Sequence, residues 1–229
     1  LIVPFMIRYL PESREYQEIK QVKKQQSYSK ALFNENQSLK TLLLWAGCFF
    51  TAMLLYIMLS WLPSLFVELG FSKQQGSMAQ VFFQIGATAG TLLFTGLIDK
   101  GNKVIIISVV YVGILIGLLL MNSAPTLILM YMAAAFTGFF IIGSNGLSYA
   151  FSSFTYVTEH RGQGVGAANA IGRVGAMVGP AMAGFILNSG GGTSGVLFSM
   201  FPCALVALVA MGLLAKKLGS DTVLAKKVV

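Results

Sequence analysis

The sequence predicts an all-α membrane protein built on six transmembrane helices. Three observations carry this. Of the 229 residues, 55% are hydrophobic and 10% charged, with a mean hydropathy of +0.74, whereas a soluble domain covers itself with about a quarter charged residues. Six apolar runs each have the length that crosses ~30 Å of hydrocarbon at ~1.5 Å per residue. They lack the alternation of barrel strands, and backbone groups in lipid must bond within their own segment, so the runs are helices.

Leu1-Ile2-Val3-Pro4-Phe5-Met6-Ile7 opens the chain without an initiating methionine, and charge follows the apolar residues instead of preceding them. A secretory signal has the opposite order. Residues 1–10 therefore read as the end of a preceding transmembrane helix, stopped at Pro11. Residues 11–40, rich in Lys, Gln, Ser and Glu, read as a solvated central loop.

The bundle itself is expected over residues 41–215. The first span, 41–66, carries Tyr56, Ser60 and Trp61. The second, 78–98, places Gln80, Gln84, Thr88 and Thr91 on one helical face. The third, 104–121, is apolar nearly all round, as lipid requires of an outer helix. The fourth, 126–151, carries Ser144, Asn145 and Tyr149, and the fifth, 164–187, carries Asn169 and Arg173. The sixth, 195–215, is again apolar all round, and 216–229 form a polar tail. Turn chemistry separates the spans at Asp99-Lys100-Gly101-Asn102, Asn122-Ser123-Ala124-Pro125 and Ser189-Gly190-Gly191-Gly192.

A net charge of +8 invites a nucleic-acid reading, but the basic residues sit between apolar runs and form no basic surface. All the Lys and Arg except Lys73 and Arg173 fall in the connections and tail on one side. The positive-inside rule makes that side cytoplasmic, with both ends of the segment there. Cys48 and Cys203 lie inside apolar runs and act as small apolar residues, with no disulfide framework, metal site or cofactor indicated. His160 is the sole histidine, beside Glu159 and Arg161 at a span edge. With no paired membrane aspartates, HExxH or serine–histidine arrangement, it reads as a loop residue, which weighs against an intramembrane enzyme.

One-sided polarity in a membrane helix points to a cavity or to another helix. For Ser144, Thr88 and Thr91 interhelical hydrogen bonding is the simpler reading; for Gln84, Asn145 and Asn169 both readings stand. Arg173 differs, because a central charge costs ~2.5–3.5 kcal/mol on the insertion scale and no acidic residue of the chain shares its depth. It binds an anionic substrate, for which a guanidinium is well shaped, or it pairs with an acid elsewhere in the protein. The pairs Gly86/Gly90, Gly162/Gly166 and Gly175/Gly179 have the spacing that lets helices approach closely, and Pro180 permits a bend.

Leu10-Pro11-Glu12-Ser13, the loop Gly96-Leu97-Ile98-Asp99-Lys100-Gly101-Asn102-Lys103 and the order of the spans resemble the second half of the major facilitator superfamily. More narrowly, Tyr156-Val157-Thr158-Glu159-His160-Arg161-Gly162-Gln163-Gly164-Val165-Gly166, continuing to Ile171-Gly172-Arg173-Val174-Gly175, is similar to a signature of the aromatic acid:proton symporters, with Val157 in place of a proline. The resemblance covers essentially the whole chain. It implies one six-helix half of a twelve-helix fold in the cytoplasmic (inner) membrane, surrounded by lipid and partnered by an N-terminal half. That half would hold the proton-coupling acids in its first helix. It further implies a gate at Asp99, Lys100 and Arg161, and a substrate cavity between the first, second, fourth and fifth spans. Candidate substrate residues are Arg173, Asn169, Asn145, Tyr149, Gln84 and Tyr56, with Phe49 and Trp61 as further aromatics. The implied function is proton-coupled symport of small organic, aromatic carboxylates. Transport of sugars or other neutral metabolites, and a receptor or scaffold of the same fold, are the alternatives.

Overall fold

The computed structural model of the chain describes residues 37–97, 101–123, 126–156 and 160–227, with side chains described up to residue 219. The expected ends of a preceding helix and the central loop up to residue 36 lie outside the described residues. Six helices follow in order: α1 Ser38–Glu68, α2 Lys73–Leu97, α3 Lys103–Ser123, α4 Leu127–Thr155, α5 Arg161–Asn188 and α6 Gly192–Lys227. Each is long and apolar enough to cross a membrane, and the helix that carries the expected sixth span continues beyond residue 215 to Lys227.

Local chemistry sets the ends. Ser72 and Gln75 exchange bonds, the Gln75 amide donating to Ser72 Oγ at 3.2 Å and the Ser72 amide to Gln75 Oε1 at 2.8 Å. This capping box starts α2 at Lys73, five residues before the apolar run alone suggests. At the end of α1 the Phe71 amide donates to the Phe66 carbonyl and the Gly70 amide to that of Val67. Gly70 there adopts φ +92, and the Phe66 and Phe71 rings meet at 5.7 Å. That is a Schellman stop with its apolar contact, and the left-handed residue is the one glycine suits. The same pattern closes α5 through Gly190 and Gly191.

The helices alternate in direction. Lys103, at the start of α3, lies 4.1 Å over the Phe154 ring near the end of α4. At that same end of the bundle the Tyr156 hydroxyl donates to Thr41 Oγ1 of α1 at 3.3 Å. At the opposite end Thr193 of α6 donates to the Leu65 carbonyl and to the Glu68 carboxylate of α1. Tyr156 is buried beyond the helix end, and that burial raises its pKa, so its hydroxyl stays a neutral donor.

α1 is the central helix, in contact with α5, α6, α2 and α4. Two seams bring backbones together. α2 lies on α4, where a Cβ on Gly86 or Gly90 would run into the carbonyl oxygens of Ala135 and Phe139, and one on Gly138 into that of Phe83. α5 lies on α1 through Gly175 against Phe49 and Gly179 against Met53, where a Cβ would sit 2.7 Å from the carbonyl oxygen. Thus two of the three glycine pairs mark close approaches. Gly162 and Gly166 do not, since no described atom lies within 4 Å of a Cβ placed there; they sit on the outer face of α5.

Polar side chains do less between helices than their placement suggests. Thr88, Thr91 and Ser144 donate to carbonyls of their own helices, Gln84, Ala87 and Ile141. A hydroxyl in apolar surroundings finds its nearest acceptor one turn back, so the expected interhelical role is not met. The cross-helix bonds come instead from Thr51 with Tyr111, Tyr156 with Thr41, Thr193 with α1, and Trp61 with α5. The Trp61 indole donates at 3.0 Å to the carbonyl of Pro180, the proline inside α5. Trp61→Phe keeps an aromatic ring at this contact and loses that bond, worth about 0.6 kcal/mol between membrane helices. A fall of a few degrees in the thermal midpoint of the detergent-purified protein is expected, with uptake retained.

Exposure is uneven. Of the hydrophobic stretch of each helix, 56% is buried in α1 but only 28% in α2 and 17% in α5. α3 and α6 each bury one face and present the other, including Ile105, Leu119, Leu205 and Val209, outward. α2 and α5 therefore border open faces of the bundle, and those faces carry the polar candidates.

Candidate functional site

A recess opens between α1, α4 and α5, and each helix contributes one face to it. α1 gives Cys48, Ala52 and Tyr56, at i, i+4 and i+8. α4 gives Asn145, Ser148, Tyr149 and Ser152, and α5 gives Ala168, Asn169, Gly172 and Arg173. Five of the six candidates from the sequence, Tyr56, Asn145, Tyr149, Asn169 and Arg173, thus meet around one space. Gln84 does not join them. It lines a separate groove with Pro63, Ser77, Gln80, Val81, Ile85 and Thr88, where Gln80 Oε1 is buried without a partner among the described residues.

Contacts between the three helices order the recess by depth. A Cβ on Gly172 would lie 3.7 Å from the Cys48 carbonyl oxygen and 3.9 Å from the Ala52 Cβ. Cys48 and Ser152 are neighbours in the wall of the recess. Cys48, Ser152 and the Gly172–Arg173 pair are therefore level. Asn145 lies seven residues along α4 from Ser152, about 10 Å of helix, and Tyr56 lies eight along α1 in the same direction. Small residues, Ala52, Ala168 and Gly172, leave the middle open.

The recess has a cationic pole at Arg173, with the Asn169 amide one turn away, and a neutral polar pole at Asn145 and Tyr56. Arg173 is exposed to the recess and forms no ion pair with a described residue. Glu68, the carboxylate nearest to a span among the described side chains, is held by Thr193 at the far end of the bundle. An unpaired guanidinium with an amide one turn away offers several N–H donors to a planar anion.

The end of the bundle below the recess is tied by Tyr156. Its ring lies against Gly164, where a Cβ would collide with it, and its hydroxyl reaches Thr41. Arg161 sits on the exposed start of α5; Asp99 and Lys100 lie outside the described residues. Phe49 and Trp61 do not line the recess. Phe49 packs edge-on against Phe50, and Trp61 is engaged with Pro180.

Sequence reasoning missed Cys48, Ser148 and Ser152. The signal was present, for Ser148 and Ser152 continue the Asn145 face at i+3 and i+7, and Cys48 continues that of Tyr56 two turns back.

Comparison with known proteins adds the following. Residues 1–175 and 44–226 match the family model described as Major Facilitator Superfamily. Over 217 residues the chain is 37% identical to a 3-(3-hydroxy-phenyl)propionate transporter of Escherichia coli, covering 95% of this chain and 53% of that protein. It is 28% identical over 160 residues to a benzoate transport protein of Acinetobacter baylyi, covering 69% of this chain and 34% of the relative. It is also 28% identical over 185 residues to a 4-hydroxybenzoate transporter of that organism, covering 79% and 40%. The chain spans about half the length of the curated relatives it matches.

Proposed function

The chain belongs to the major facilitator superfamily, and from that premise we propose that it forms the substrate-holding half of a secondary transporter for small aromatic carboxylates. It is an integral, multi-pass membrane protein. The observation that carries the reading is Arg173, an unpaired cation in a recess walled by Asn145, Tyr149, Asn169 and Tyr56. The guanidinium takes the carboxylate, the small residues at mid-depth leave room for a ring, and Asn145 and Tyr56 meet its far side. The names of the relatives, all transporters of aromatic acids, agree with that chemistry.

Transport requires a second wall. The open faces of α2 and α5, with Leu92 and Met177 about three-quarters exposed, are where an N-terminal six-helix half would close over the recess. Proton coupling belongs to that half, since no described carboxylate lies at the depth of Arg173. The excess of Lys and Arg on one side supports a cytoplasmic position for both ends of the segment, and a cytoplasmic-membrane location goes with the transporter reading. Arg161, Asp99 and Lys100 on that side would form the gate.

Uptake by cells expressing the natural full-length protein tests this. Labelled benzoate is expected to accumulate under an inward proton gradient, to be displaced by excess 4-hydroxybenzoate, and to ignore glucose. Accumulation of glucose in place of benzoate would overturn the reading.

A further inference from the structure

Gly172, Gly175 and Gly179 recur at i, i+3 and i+7 along the face that α5 turns to α1, yet their surroundings differ. Gly175 and Gly179 are buried, and a Cβ on either would run into the carbonyl oxygen of Phe49 or Met53. Packing demands glycine at those two positions. Gly172 is only part-buried. Among the described residues, a Cβ there would meet just two atoms within 4 Å beyond its own helical backbone. They are the Cys48 carbonyl oxygen at 3.7 Å and the Ala52 Cβ at 3.9 Å, both at ordinary van der Waals distance. Its φ is not positive, so the backbone does not ask for glycine either. A mid-helix glycine is less favourable than alanine, and here that cost has no return in packing.

What the glycine keeps is space. Cys48 and Ala52, the two residues a Cβ would touch, line the recess together with Gly172 and Arg173. The seam of α5 on α1, shut at Gly175 and Gly179, is open at Gly172, next to the cation. We propose that Gly172 is a specificity-determining residue: its bare backbone sets the width of the recess between α1 and α5 and admits aromatic acids thicker than a flat ring. This rests on the aromatic-acid reading above and deepens it. Benzoate is planar from carboxylate to ring edge. An acid with saturated carbons between the two, such as 3-phenylpropionate, has tetrahedral centres that need clearance on both sides of the ring plane. With no side chain at Gly172 and a single methyl at Ala52, the gap supplies that clearance.

The test uses the natural full-length protein in vesicles, with Vmax/KM measured for benzoate and for 3-phenylpropionate. The unaltered protein is expected to take both acids. Gly172→Ala should lower Vmax/KM for 3-phenylpropionate about tenfold more than for benzoate, the discrimination that one methylene of misfit produces in a pocket. Gly172→Ser adds similar bulk with different chemistry and should shift the ratio alike. Ala52→Gly, across the same gap, returns the volume of one methyl, so combining it with Gly172→Ala should recover most of the lost ratio. Gly212→Ala on α6, where a Cβ meets nothing within 4 Å, controls for helix propensity and should leave the ratio unchanged. A purely structural role would instead move folded yield and both acids together. An unchanged ratio in Gly172→Ala, or no recovery on adding Ala52→Gly, would overturn the proposal. So would exclusion of 3-phenylpropionate by unaltered protein that takes benzoate. Loss of folded Gly172→Ala protein would overturn it too, by making this a packing glycine like Gly175. If the unaltered protein accumulates neither acid, the aromatic-acid reading fails; uptake of both with an unchanged ratio sinks the width filter alone.

Discussion

Replacing Arg173 with alanine is expected to abolish accumulation of aromatic acids while leaving the protein in the membrane. A hydrogen bond to a charged group contributes about 1.5–3 kcal/mol, so losing the guanidinium weakens carboxylate binding by about tenfold to a hundredfold. The anion would then enter a recess with no compensating charge, and its desolvation blocks occupancy further. The protein itself loses nothing by the change. A cation at mid-span costs ~2.5–3.5 kcal/mol on the insertion scale, and Arg173 has no described ion pair whose loss would offset that relief. Arg173→Lys should be intermediate, since lysine keeps the charge but not the planar fork that grips both carboxylate oxygens. Uptake and the amount of membrane-embedded protein are measured together. Normal uptake in the alanine variant would remove Arg173 from the site. Loss of folded protein would favour the other account of this residue, a partner for an acid elsewhere, because an unpaired buried carboxylate then remains.

The sequence made the spans legible because lipid imposes a simple code, and the polar faces legible because a helix repeats every 3.6 residues. Asn145 with Tyr149, Asn169 with Arg173, and Tyr56 were all found that way. Rotation of a helix about its axis is less visible. The Gln80, Gln84, Thr88 face of α2 is a true face, but it lines its own groove beside Pro63, away from the five candidates that meet. Small hydroxyls were undervalued because a serine that bonds its own helix looks inert, although Ser148 and Ser152 line the recess. The bond of Tyr111 to Thr51 was invisible for the opposite reason. Tyr111 sits in a run that reads as lipid-facing, and only the packing of α3 against α4 and α6 shows which of its faces is inward. Local capping was also missed. The Ser72–Gln75 exchange adds more than a turn to α2, and no hydropathy profile contains it.

A second large effect is expected at Gly90. In lipid, helix association rests on close packing and hydrogen bonding, without a hydrophobic gain from leaving water, and the α2–α4 seam is where these backbones touch. A side chain at Gly90 would meet the Phe139 carbonyl oxygen, a backbone atom that cannot rotate away. The rings around it leave no slack, as Phe94 packs on Phe139 at 5.2 Å and on Phe140 at 5.8 Å. Gly90→Leu must therefore separate the two helices, at a cost of about 1–3 kcal/mol or more for overpacking. Such protein should reach the membrane but lose its monodisperse peak on extraction into mild detergent. Gly146→Ala on α4 is the control, because a Cβ there makes only ordinary contacts, 3.6 Å from Thr95 and 4.0 Å from Thr91. It should extract and transport like the parent, and equal behaviour of the two variants would refute the seam. The milder Gly86→Ala, against the Ala135 carbonyl, separates packing from function. α4 carries the seam at Gly138 on one side and the Asn145, Ser148 and Ser152 wall on another, so pushing it off α2 moves the wall relative to Arg173 on α5. Loss of uptake with folding retained is the expected result there, and it would locate the register of α4, beyond its mere presence, as what the cavity depends on.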